Sequence, residues 1–515
     1  MSTIKKLIIP ILLLIFSFWQ LSSLSDKRWP TSHDGVFHVI RIREFFYELS
    51  SGHFPVRWAS RLDNGYGIPL FNYIYPGPYL LSSLPMSFGI NEVNSYKITI
   101  FFAYFLAISG FFYLFRQTNR FLALIGSLIY GLTPYVFLNI FVRGALGETI
   151  SMSFMPWALV GILERRKILT VLSLSFILIS HNFLGILFLF FLILFLLWNK
   201  RLNIFTVTTI LLSLGLSAFF LLPMIFERQY IVSGANNNFT FNYQEHFLYL
   251  RQLLYGKWDY WYSIPGPNDG MSFQLGFANI IILILSISTI IYRKKINNLF
   301  YLTVIYIGSC ILTQGFSFPL WKLIRPLQIV QFPWRFLFIT TIISPLLFFE
   351  NASYWINKKR TITLAVSIVI IIFALINVRN YRRPMDFQSP EKYNVYLDLY
   401  TNKTTTAIRE EISPKWTLKE KFAGDISSRF TIFPANTNLF TIRKNYFPTW
   451  KLIDLSKNIV IPIEPDADGN ITAKLSEGTY LLKNGQTPLE IISNYISLFS
   501  LLVLFAPSLL RVANR

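Results

Sequence analysis

About a dozen apolar runs, divided by short basic clusters, recur along this 515-residue chain and restrict it to a bundle of membrane helices. A helix rising 1.5 Å per residue needs roughly 20 apolar residues to cross about 30 Å of hydrocarbon. Runs of this kind lie at about 4–24, 97–115, 121–141, 149–163, 168–180, 183–198, 203–225, 273–292, 298–315, 335–350, 361–377 and 491–510. Only 14% of the residues are charged, against about 25% in soluble domains. The net charge of +21 sits mostly in clusters flanking the runs, which marks cytoplasmic loops and argues against a nucleic-acid partner. Lys5-Lys6 before the apolar stretch Leu7–Leu24, with no small-x-small cleavage pattern, reads as an uncleaved signal-anchor. Cys310, the sole cysteine, lies within an apolar run and reads as a core residue.

The topology turns on one segment, Tyr73–Ile90, which is long enough to cross but carries Pro76, Gly77, Pro78, Pro85 and Gly89. Backbone exposed to lipid must satisfy its own hydrogen bonds, which these residues hinder. If the segment does not cross, the clusters at Arg116/Arg120, Arg165–Lys167, Lys200-Arg201, Arg293–Lys295 and Lys358–Arg360 share the side of Lys5-Lys6, as the positive-inside bias requires. The expectation is therefore a polytopic α-helical membrane protein of about 12 spans. Both termini are then cytoplasmic, and 73–90 is an interfacial or re-entrant helix. The run from Ile168 to Trp198 reads as two thin helices meeting at His181-Asn182. Residues 1–377 form the bundle with a first outward loop at 25–96, and 491–515 hold the last helix and a cytoplasmic tail. Between them, 378–490 turns polar, with β-like stretches at Phe430–Phe433, Leu452–Leu455, Ile459–Ile463, Ile471–Leu475 and Tyr480–Leu482, and reads as a small extracytoplasmic β-rich domain.

Polar residues able to do chemistry gather on the outward side. Asp34 precedes helical apolar spacing over 36–49, so it caps that helix or stands as a carboxylate base at the membrane surface. His33 and His38 flank it and leave a divalent metal open. Arg143 and Glu148 end one run and begin the next, either as an interfacial ion pair or as lining of a cavity shared with Asp34. Arg335 opens a run on the outer side, where it meets a lipid phosphate or snorkels. His181, at the outer corner, points into the cavity or serves as a structural hydrogen-bonder.

Several short motifs in order, HDGVFHVIRI, GHFPVRW, NGYGIPLF, YPGPYLL, VRGALGE, SHNFLG, FPWRF and NYFPTW, resemble membrane proteins of the YfhO-like type, some of them labelled 6-pyruvoyl-tetrahydropterin-synthase-related. These look like members of the GT-C glycosyltransferase superfamily. The resemblance implies a GT-C-like bundle, a catalytic aspartate matched by Asp34, and a second acidic residue matched by Glu148 within RGALGE. It implies a polyprenyl-phosphate-linked sugar as donor and inverting transfer to an acceptor hydroxyl of an envelope glycan, lipid or protein. On that reading Arg335 and Arg143, with Arg57, stabilise the leaving phosphate, and Trp58, Tyr66 and Tyr75 stack on sugar. The rival readings are a transporter or flippase of lipid-linked glycans and a non-catalytic envelope scaffold.

Overall fold

A computed structural model describes residues 3–63, 65–230, 242–389, 427–432, 438–467 and 469–513. The first helix, α1 (Thr3–Gln20), is followed by a short strand β1 (Trp29–Pro30) and by α2 (Gly35–Ser50). Two glycine- and proline-marked turns later comes α3 (Gly77–Ser87), of 11 residues. At 1.5 Å per residue it spans about 16 Å, half the hydrocarbon thickness. Its Tyr79, Ser82 and Ser83 are buried against α2 and α4 (Glu92–Phe115). The segment 73–90 is thus a short helix packed among others.

The bundle continues with α5 (Arg120–Gly131), α6 (Pro134–Phe137), α7 (Leu146–Leu163), α8 (Lys167–Ser180), α9 (Asn182–Trp198), α10 (Ile204–Leu216), α11 (Ala218–Phe226) and the short α12 (Leu250–Leu254). After it come α13 (Phe277–Arg293), α14 (Asn298–Leu312), the short α15 (Phe318–Leu323), α16 (Leu337–Ile356), α17 (Arg360–Val378) and, near the chain's end, α18 (Pro488–Ala513). Asparagines open many of these helices. The side chains of Asn91, Asn119, Asn203 and Asn297 each accept a backbone N–H of the first turn, satisfying donors that a helix start otherwise orphans. The centre is α7, which packs on α4 and α8, with α16 against α5, α13 and α14.

Every apolar run in the sequence lies on a helix. Among the described residues five helices are long and apolar enough to cross a membrane, within 92–115, 146–163, 333–356, 360–378 and 488–506. The count by length reaches seven if the bent pairs α5 with Pro134–Arg143 (48°) and α10 with α11 (66°) each make one span, against the twelve expected from hydropathy. The other apolar runs lie on α1, of 18 residues, and on four helices of 17 residues or fewer, about 26 Å or less for those four. Caps and turns stop them early, which apolarity alone does not report. The division of 168–198 holds: α8 and α9 meet at His181, and Gly185 lets α9 approach the backbone of Leu178 closely.

The β-rich region folds as two antiparallel sheets. One runs β3 (Ser427–Ile432), β9 (Gly478–Asn484), β5 (Trp450–Asp454), β6 (Ile459–Ile461). The other runs β4 (Asn438–Asn445), β8 (Asn470–Leu475), β7 (Glu464–Pro465). All five expected stretches fall on strands for most of their length, and Phe433 lies outside the described residues. The unit does not stand apart from the bundle. Its core includes Trp58 from the first loop, and Lys444 Nζ donates to the Gly65 carbonyl at 2.8 Å. A separate pairing of β1 with β2 (Phe387–Gln388) ties the chain just before Asp34 to the chain just after α17.

Candidate active site

Glu148 is the hub of the site. It lies in the first turn of α7, where the helix N-terminus favours a carboxylate. Arg143 grips it with two bonds, Nη1 to Oε2 and Nη2 to Oε1, both 2.7 Å. Arg335 Nε stands 3.3 Å from Oε1, and Tyr135 donates its hydroxyl to Oε2 at 3.2 Å. His181 Nε2 is 3.7 Å from Oε1. The local backbone delivers these groups. A π-helical turn over Leu138–Arg143 carries Asn139 and Arg143, and Arg143 Nη1 also donates to Asn139 Oδ1 at 2.6 Å. Such turns recur at functional sites because the extra residue re-aims the side chains after it. Trp334, just before Arg335, lies beneath the Arg143 guanidinium at 4.8 Å. Two guanidiniums, Arg143 buried and Arg335 half-buried, face one carboxylate, so the cluster holds an excess of positive charge.

Asp34 is bound to this cluster through backbone. Its N–H donates to the Arg143 carbonyl at 2.8 Å, and His33 N–H donates to the Val142 carbonyl at 3.0 Å. Asp34 occupies the N-cap position of α2, yet its side chain makes no capping bond. The half-buried carboxylate has neither hydrogen bond nor ion pair among the described residues. Gly144, at φ +66°, sets the turn that brings the two strands of backbone together; a Cβ there would overlap Ser32 Oγ and stand 2.9 Å from the Gly35 nitrogen. Gly144→Ala is therefore expected to cost about 1–2 kcal/mol in backbone strain alone and to displace Asp34. Thermal unfolding would check this, a Gly144→Ala protein as stable as the wild type contradicting the strain.

Aromatic rings wall the site. Tyr75 stacks on His181 (5.2 Å) and on Tyr79 (6.5 Å), and the Tyr79 hydroxyl shares a 3.0 Å hydrogen bond with His38 Nδ1. Burial holds the His38 imidazole well below its usual range, and it lowers His33 as well. His33 Nε2 donates to the Tyr260 carbonyl at 2.9 Å, and its ring stacks on Tyr262. The two histidines thus face different partners. Among the described residues no three His, Cys, Asp or Glu side chains converge. His181 serves as a structural hydrogen-bonder, its Nδ1 accepting from Leu184 N–H at the start of α9, while its Nε2 faces Glu148.

The structure gathers Arg143, Glu148, His181 and Arg335 with Tyr75, and places Asp34, His33 and His38 beside them. It does not bring Arg57, Trp58 and Tyr66 there. Arg57 donates to Asn72 and Asn494, both at 2.8 Å, and lies 3.9 Å from Glu490. Trp58 packs edge-on to Trp450 at 5.4 Å, and the Tyr66 carbonyl accepts from Asn445 N–H. Trp58 and Tyr66 dock the first loop on the β-rich unit, and Arg57 ties it to the start of α18. Sequence reasoning missed Tyr135, Asn139, Tyr79 and Trp334. Asn139, a full turn before Arg143 inside an apolar run, was the one that carried a signal.

Residues 71–382, more than half of the chain, match the model of a membrane-protein family described as 6-pyruvoyl-tetrahydropterin synthase related domain. The match contains Arg143, Glu148, His181 and Arg335, while Asp34 precedes it. No curated protein matches the chain.

Proposed function

The chain belongs to the 6-pyruvoyl-tetrahydropterin synthase related family of membrane proteins, and from that premise we propose that it is a GT-C-type glycosyltransferase. It moves a sugar from a polyprenyl-phosphate-linked donor to an acceptor hydroxyl on the outer face of the plasma membrane, with inversion. The acceptor is an envelope glycan, lipid or protein. In this reading the chain is a multi-pass protein with about 12 crossings, some of them thin, both termini cytoplasmic and 378–490 extracytoplasmic.

The observation that carries the reading is Asp34, a carboxylate with no hydrogen bond or ion pair among the described residues, set by backbone bonds beside a cluster of excess positive charge. The acceptor O–H gives its proton to Asp34 while its oxygen bonds to C1 of the sugar. The C1–O bond to phosphate breaks, and the electron pair leaves on the polyprenyl phosphate. A phosphate leaving group needs cations and not an acid. Arg143 has both Nη atoms committed to Glu148 and Asn139, whereas among the described residues Arg335 commits only one of its two, Nη1, to the Val330 carbonyl and Gln331. Arg335 is therefore assigned the phosphate contact and Arg143 holds Glu148. Glu148, held by two guanidiniums and a phenol, is no proton acceptor and serves to position the arginines. Tyr75 and His181 form the wall along the sugar. The charges sit at helix ends, Glu148 and Arg335 in first turns and Arg143 in the last residue of the π-helical turn, which favours this reading over a transporter with charges in mid-helix.

The test is release of polyprenyl phosphate from a synthetic polyprenyl-phosphate sugar by the purified protein in liposomes. Arg335→Met is expected to lower kcat by about 10²-fold, the usual loss for one transition-state donor. No turnover of such donors by the wild-type protein, or an unchanged kcat in the variant, would overturn the assignment.

A further inference from the structure

A second, polar pocket of about 260 Å³ opens where the end of α2, the loop after it and the β-rich unit meet. Glu48, which lines it, is fourteen residues along α2 from Asp34, about 21 Å at 1.5 Å per residue. The two sites are therefore separate.

The pocket is built of paired charge and unpaired polar groups. Glu48 and Glu490 line it and are fully buried. Glu48 accepts from Ser60 N–H at 3.0 Å and lies 2.9 Å from His53 Nδ1. Glu490 accepts from Asn72 Nδ2 at 2.7 Å and from Thr487 N–H at 3.0 Å. The Arg57 guanidinium gives its Nη1 to Asn72 and its Nη2 to Asn494. Four lining groups remain without a hydrogen-bond partner among the described residues, Arg57 Nε, Trp58 Nε1, Thr449 Oγ1 and Asn484 Nδ2, and Thr449 is only 4% exposed. At the rim stands Phe54, 69% exposed.

Each feature narrows the ligand. Buried polar atoms left unpaired cost about 1–3 kcal/mol each, so an occupant that hydrogen-bonds them is favoured over an apolar one. Two carboxylates against one guanidinium oppose an anion, while free carboxylate lone pairs accept hydroxyl donors. An exposed aromatic ring offers a flat apolar face. A compact molecule with several hydroxyls and one apolar face meets all of these demands. The volume falls just below the range of about 300–1,000 Å³ for drug-sized sites, which suits one ring and not a chain.

We propose that this pocket binds a single neutral sugar residue, at a subsite distinct from the Asp34 cluster. The inference stands whether or not the chain transfers sugar.

Saturation-transfer NMR on the full-length protein in nanodiscs tests it, with the methyl glycosides of glucose, galactose, mannose and N-acetylglucosamine as probes and glucuronate as the anionic control. At least one neutral probe is expected to bind. Its affinity should fall about tenfold in Phe54→Ala, the loss of one aromatic contact. It should vanish in Gly485→Leu, which points a side chain into the pocket from a position where a Cβ meets only the Thr449 carbonyl at an ordinary 3.5 Å. Binding should persist in Asp34→Asn. Absence of binding by every neutral probe, equal binding of glucuronate, indifference to both pocket variants, or loss in Asp34→Asn would each overturn the proposal.

Discussion

Replacing Asp34 by asparagine is expected to abolish sugar transfer while leaving the fold as it is. The substitution keeps the shape of the side chain and removes only its ability to take a proton. A positioned general base contributes about 10²–10⁴-fold, so transfer should fall by that factor. The stability should change by no more than about 0.5 kcal/mol, because the carboxylate is not engaged in a bond that the amide would break. The two backbone bonds to Val142 and Arg143 remain in the variant. Initial rates of polyprenyl phosphate release, read beside thermal unfolding in the same detergent, separate the effects. Undiminished transfer would remove Asp34 from the chemistry and leave it as the first residue before a helix.

Removing Glu148 should have the opposite signature. Its carboxylate is the only acid that Arg143 and Arg335 pair with among the described residues. Glu148→Gln leaves two guanidiniums facing one another, and breaking a buried pair such as Arg143 with Glu148 from one side costs about 3–5 kcal/mol. The variant should unfold at a lower temperature and lose activity as a consequence. Pairing it with Arg143→Gln, which removes one of the stranded charges, should restore part of the stability without restoring transfer. A Glu148→Gln protein as stable as the wild type would mean that the cluster is not held by this ion pair. The two substitutions thus distinguish a group that reacts from a group that positions, which proximity alone does not.

The parts of the site that were legible in the sequence share one property. Arg143, Glu148 and Arg335 are charges at the ends of apolar runs, where they cost free energy unless something pairs them, and the structure pairs them with one another. His181 was legible because it interrupts a run too long for one helix. Tyr135, Tyr79 and Trp334 were not, since an aromatic residue in an apolar run looks the same whether its polar edge faces a carboxylate or a backbone carbonyl. Arg57, Trp58 and Tyr66 misled for a related reason. A dense polar and aromatic loop is equally what a docking surface needs, and here the partner lies nearly 400 positions away in the β-rich unit, as the bond from Lys444 to Gly65 shows. Hydropathy measures how apolar a run is, while caps and bends decide how long its helix becomes, so twelve apolar runs yield five to seven helices long enough to cross among the described residues. Strand β4 was not among the stretches named from the sequence because Leu439, Phe440 and Ile442 do not alternate strictly with polar residues.

The small ladder between β1 and β2 has a consequence for biosynthesis. Trp29 pairs with Gln388 and Pro30 with Phe387, so the backbone leading into Asp34 gains its strand partner only after almost three quarters of the chain has been made. At about 5–20 residues per second of synthesis, the wait is roughly 20–70 s. The Thr31 N–H likewise waits for the Asp386 carbonyl. During that interval the loop bearing the carboxylate lacks its brace, although α1 and α2 have long since emerged from the ribosome. A nascent or truncated chain thus cannot present a finished site, and assembly of the reactive loop is timed to the completion of the bundle around it.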